Sequence, residues 1–167
     1  MFKALKKIAL LAAISAVSAC GFHFQNGQLI PAELQTLTFE SGDPYSDMSM
    51  AMRKQLQVNN INLVDASENV PVLRIHKIST NDEVVSVFKQ GREAEKMLMM
   101  QVDASVRLPH QDAHEITAKV SRTFFDNSRA ALAKSAEKEV IWNDMREQAA
   151  RQIISKMVAL QHQIKAK

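Results

Sequence analysis

Between Met97 and Leu108 apolar and polar side chains alternate. Leu98, Met100, Val102, Ala104, Val106 and Leu108 fall on one face, with Gln101, Asp103, Ser105 and Arg107 on the other. A period of two is the signature of a strand with one face on a core and one in polar surroundings. His114 to Phe125 repeats it, Ile116, Ala118 and Val120 opposing Glu115, Thr117, Lys119 and Ser121. A third strand is predicted over Val72 to Phe88. Lys89-Gln90-Gly91-Arg92 and Pro109-His110-Gln111-Asp112 supply the turns. Nearer the start, Leu37 and Phe39 alternate with Thr36, Thr38 and Glu40 in a short first strand.

Helical spacing governs two other segments. Met48, Ala51, Met52 and Leu56 predict an amphipathic helix over 44–59, with Asp43 as N-cap, Pro44 at the first helical position and Asn59-Asn60 as the stop. Ile141, Met145, Ala149, Ile153, Met157 and Leu160 predict a long C-terminal helix over 129–161, entered at Asp126-Asn127-Ser128 and interrupted near Ser135. The expected fold is α+β in the order β-α-β-β-β-α. A four-stranded, mixed and mostly antiparallel sheet carries both helices on one face as a two-layer sandwich.

The N-terminal end follows a different pattern. Lys3, Lys6 and Lys7 precede an apolar run from Ile8 to Val17, then Ser18, Ala19 and Cys20. A cationic start, an apolar run too short to span a bilayer and small residues at its end are the parts of an export signal. Val17-Ser18-Ala19-Cys20 resembles the bacterial lipobox, so residues 1–19 are expected to be removed and Cys20 to carry the lipid anchor. Gly21 stands where an inner-membrane retention signal would place Asp, which favours the outer membrane. Residues 20–33 read as a lipidated tether and 34–167 as one α+β domain.

Removing the signal changes the charge. The net +3 of the whole chain is carried by the three lysines of the signal, which leaves Lys plus Arg equal to Asp plus Glu, at 18. A near-neutral mature chain argues against a nucleic-acid binder, which needs a net basic footprint. Cys20 is the one cysteine, so no intramolecular disulfide forms.

Catalytic chemistry finds no motif. Four glycines make no phosphate loop, and His110 with His114 lies at a hairpin turn without a third ligand. One cluster offers binding chemistry: Lys89 and Arg92 flank the tip of a long hairpin beside Phe88, with Lys96 further along. Arg grips phosphate as a fork and Lys as a mobile point charge, while an aromatic ring meets an apolar chain. A charged turn that only keeps the hairpin soluble is the competing explanation.

Cys20-Gly21-Phe22-His23, Ser41-Gly42-Asp43-Pro44, Ser86-Val87-Phe88-Lys89, Arg122-Thr123-Phe124-Phe125-Asp126-Asn127 and Ala131-Leu132-Ala133-Lys134 occur in this order across the mature chain. In order and spacing they resemble the LptE family of lipopolysaccharide (LPS)-assembly lipoproteins. The resemblance implies a non-enzymatic protein of the Gram-negative outer membrane, lipid-anchored at the periplasmic leaflet. It would plug and help assemble the β-barrel LptD and bind LPS through Lys89 and Lys134, with Arg92 and Phe88 beside them. Where the family often has Arg, this chain has Lys89, which keeps the charge and loses the planar fork. No cofactor is implied beyond the lipid on Cys20. A free-standing periplasmic lipid- or protein-binding lipoprotein is the alternative.

Overall fold

A computed structural model describes residues 30–87, 93–125 and 131–165. It contains a 3-10 turn (Ala32–Leu34), β1 (Thr36–Ser41), α1 (Asp47–Val58), β2 (Asn62–Leu63), β3 (Val72–Val87), β4 (Glu93–Arg107), β5 (Ala113–Phe125) and α2 (Ala131–Lys165). The sheet order is β2-β1-β3-β4-β5. β1 runs parallel to both neighbours, and β3, β4 and β5 are antiparallel, so the sheet is mixed.

Alternation places the core as expected. Leu98, Met100, Val102, Ala104 and Val106 of β4 join Ile116, Ala118 and Val120 of β5 and Leu73 and Ile75 of β3 beneath the helices. From above, α1 contributes Met48, Met52 and Leu56, and α2 contributes Met145, Ala149, Ile153 and Met157. Each large side chain fully buried here stabilises the fold by about 1.5–3 kcal/mol relative to exposure.

Several expectations are corrected. The sheet has five strands, because β2 adds two residues beside β1. Asn60, in the left-handed region at φ 58, turns the chain back after α1 and seats Ile61 in the core. The N-cap of α1 is Ser46, which accepts from the Ser49 amide, so the helix begins at Asp47 rather than at 44. Asp43 instead accepts from the Tyr45 amide at 2.9 Å, closing a turn ahead of the helix. A hydroxyl network settles the choice, since the buried Ser49 hydroxyl lies 2.7 Å from the Asp43 carbonyl and 2.9 Å from the Ser41 hydroxyl. α2 continues through Ser135 without a break.

One irregularity changes which side chains β3 turns toward the helices. The register between β3 and β4 slips between Ile75 and Lys77. Leu73 and Ile75 face the helices, and beyond the bulge that face passes to Ile78, Thr80 and Asp82, opposite Val102, Met100 and Leu98. A one-residue insertion shifts every later side chain by one face.

Candidate functional site

The hairpin of β3 and β4 and the N-terminus of α2 lie at the same end of the sheet. β5 runs toward that end, with Phe125 opposite Glu95, and α2 starts at Ala131 and returns over the sheet. An ion pair fixes the helix there, Lys138 Nζ to Asp82 Oδ2 at 3.1 Å. A second joins Arg122 of β5 to Asp144 of α2 at 3.2 Å. Lys96 shares a rung with Val84 and Phe124, in phase with Leu98 and so on the helix side of β4.

Lys134 stands in the first turn of α2, half-buried and one helical turn before Lys138. This end of the sheet therefore carries Lys96, Arg122 and Lys138 with the acids Asp82 and Asp144 on its helix side, Lys134 one helical turn from Lys138, and Glu83 and Glu95 on its outward side. Phe88, Lys89 and Arg92 lie between the end of β3 and the start of β4, outside the described residues, as does Cys20. The strands on either side of Phe88, Lys89 and Arg92 are thus placed at the end of the molecule that carries Lys134.

Lys138 and Lys96 leave a mark on Asp82. Its carboxyl is held below the ordinary carboxylate range, first by the hydrogen bond from Lys138, then by the charge of that ammonium, with Lys96 adding to it. A depressed carboxylate contributes stability above its unfolded value and loses it as pH falls through the folded value. Asp82→Asn is therefore expected to lower stability slightly at about pH 7 and by less at about pH 3, below the ordinary carboxylate value of the unfolded chain. Urea unfolding of both proteins at the two pH values checks this. An equal deficit at both would mean that the side chain acts through something other than charge.

Sequence reasoning did not single out Lys138, and took Arg122 only as part of the Arg122-Thr123-Phe124-Phe125-Asp126-Asn127 motif. Lys138 carried a signal, since it follows Lys134 by four residues and so shares its helix face. Arg122 carried one in its phase, which is that of Val120 and Ala118.

The opposite, outward face of the sheet is mostly polar. Ser79, Gln101 and Lys119 form one rung, and Asn81, Met99 and Ser121 the next, with an open trough of about 440 Å³ between them. Asp103 accepts from Gln101 and from Thr117, both at 2.9 Å. Among the described residues no group of three or more His, Cys, Asp or Glu side chains is placed to hold a metal ion, and no helix is long and apolar enough to cross a membrane.

The LptE family, described as lipopolysaccharide-assembly, matches residues 34–157, from the 3-10 turn into the last third of α2. The LPS-assembly lipoprotein LptE of Photorhabdus laumondii is 40% identical over 156 residues, covering 93% of this chain and 86% of that protein. The one from Pectobacterium atrosepticum is 38% identical over 150 residues, covering 89% and 82%. Among solved structures, rare lipoprotein B from Shewanella oneidensis superposes with a TM-score of 0.73 at 34% identity, covering 78% of this chain and 98% of that one. A lipoprotein B from Nitrosomonas europaea, at 21% identity and a TM-score of 0.59 over 81% of this chain and 93% of that one, shares the fold. A match spanning both layers of the sandwich, together with relatives this similar along nearly the whole chain, places the protein in the LptE family of lipopolysaccharide-assembly lipoproteins.

Proposed function

We propose that the chain is anchored by a lipid on Cys20 to the periplasmic leaflet of the outer membrane. There it associates with a large β-barrel of the LptD type, helps it assemble, and binds LPS during delivery to the cell surface. The role is that of a structural and binding subunit, without a catalytic step. The observation that carries the reading is that Lys96, Arg122, Lys134 and Lys138 all lie at the hairpin end of the sheet, two of them ion-paired with Asp144 and Asp82. LPS presents phosphates next to acyl chains. Lys134 on α2 and Lys89 and Arg92 on the hairpin supply charge for the phosphates, Arg92 as the planar fork that Lys89 lacks, and Phe88 supplies an apolar contact.

The outward sheet face supports the barrel part of the reading. Its Ser79, Asn81, Gln101, Asp103, Thr117, Lys119 and Ser121 suit a water-lined lumen, whereas a broad apolar face would not.

Charge reversal tests the binding site. Lys89→Asp with Lys134→Asp is expected to weaken LPS binding by about tenfold or more, since each lost contact to a charged group is worth about 1.5–3 kcal/mol. The far-ultraviolet circular dichroism spectrum and barrel association are expected to stay as in the parent. Unchanged LPS binding in the double variant would reduce both lysines to ordinary surface charges.

A further inference from the structure

The bulge at His76 marks the place where β3 loses its neighbour. β1 pairs with β3 from Thr38–Val72 to Ser41–Ile75, and then the chain leaves for α1. From there to Val87, among the described residues, no strand lies on that side of β3. All residues from His76 to Ser86 are exposed except half-buried Ser79. Three of them are β-branched and apolar: Ile78, Val84 and Val85, at 40%, 46% and 52% exposure. A long open edge bearing such residues is a template for another strand unless something covers it.

The other edge of the sheet is guarded. On β5, the Lys156 ammonium bonds the Thr117 carbonyl, and the helix side of that edge is flanked by Ala159 and Leu160 of α2. The unpaired amides and carbonyls along the open stretch of β3 recognise extended backbone, and the side chains determine whose.

We propose that the open edge of β3 pairs with the same edge of a second copy of this chain, antiparallel and centred on Asn81, joining two sheets across a two-fold axis. In that register Ile78 lies opposite Val84 of the partner subunit, and by symmetry the contact forms twice on the helix side. On the outward side Lys77 lies diagonal to Glu83 of the partner subunit, again twice. Thr80 meets Asp82 of the partner subunit, whose charge is already offset by Lys138. The residues with outward-pointing backbone groups pair with one another, because this register matches odd positions with odd and even with even. Ile78, Val84 and the opposite charges are satisfied together, which is why a second copy is favoured over an unrelated strand.

The chain's own leader is a poorer occupant. Residues 20–29 span at most about 36 Å when fully extended. They join the fold beside the start of β1, at the far end of the sheet from Val84. A regular pairing from Ile78 to Val84, ended by a second register slip between Val84 and Ser86, lies at the small end of specific interfaces, below about 1,200 Å² in total, so the dimer is reversible and concentration-dependent. The proposal does not depend on the LPS or barrel reading.

Sedimentation velocity of the detergent-purified full chain, from low to high micromolar concentration, is expected to show a monomer–dimer equilibrium. Val84→Lys places two added cations at the contacts with Ile78 and is expected to weaken dimerisation about tenfold or more, its melting curve confirming that the fold is kept. Register is read by cysteine cross-linking against the parent chain as background. Asn81→Cys is expected to form a disulfide-linked dimer on mild oxidation, because residue 81 faces itself across the axis. Ser79→Cys alone is not, whereas Ser79→Cys with Glu83→Cys is. A protein monomeric at every concentration, a Val84→Lys variant that dimerises like the parent, or equal cross-linking at positions 79 and 81 would each overturn the proposal.

Discussion

Leu98→Ala is expected to destabilise the fold by about 2–5 kcal/mol, the range for removing a fully enclosed leucine side chain. Leu98 has no exposed surface, sits in the middle of the long central strand β4, and shares its rung with Asp82 and Arg122, both of which are bonded to α2. The cavity would open under the helix that carries Lys134. Ile78→Ala, on the same face of the sheet but on the open stretch of β3, is expected to cost less than about 1 kcal/mol, as at a half-exposed edge. Urea unfolding of the two variants side by side measures the difference. Equal losses would mean that α2 covers β3 as tightly as it covers β4 and β5, contrary to the exposure of His76 to Ser86.

Cys20→Ala is expected to produce the largest change in location. Without the thiol no lipid can be attached, and the lipobox resemblance of Val17-Ser18-Ala19-Cys20 is lost. Acyl chains contribute about 0.8 kcal/mol per buried methylene, and two or more on one residue hold a protein stably. The variant should leave the membrane pellet, or be retained by its uncut apolar segment as a longer precursor. Membrane fractionation, with the mass of the chain's N-terminus, separates these outcomes from the lipidated form. A Cys20→Ala chain that stays in the membrane at the size of the mature parent would remove the anchor from Cys20.

The parts of the fold that were legible in the sequence are those where one side of an element is buried and the other is wet. β4 and β5 show it by alternation, and α2 by the spacing of Met145, Ala149, Ile153 and Met157, because burial on one face forces a period. β2 could not be read, since two residues have no period. The parallel neighbours of β1 were hidden as well, because local alternation does not encode which strand lies alongside. The start of α1 was missed for a different reason: Asp43 and Ser46 are both good caps, and the choice falls to a network through Ser49 that forms only when β1 and α1 are packed. The slip at His76 hid the phase of β3, so Asp82 gave no sign of facing α2.

The candidate site was partly legible. Lys134 came from the resemblance, and α2 places it at the hairpin end of the sheet. The supporting cations Lys138 and Arg122 became visible once strand register and helix face were combined. Lys89, Arg92 and Phe88 are joined to that end by the strands on either side of them, and their contribution rests on the charge-reversal experiment.

Extraction of outer membranes under conditions that preserve barrel complexes, followed by affinity purification of this chain, is the most direct test of its proposed role in LPS assembly. A large β-barrel protein should copurify with it in a constant ratio and remain bound in the Lys89→Asp, Lys134→Asp variant. Recovery of the lipoprotein without any barrel, from membranes in which barrel complexes stay intact, would contradict that role.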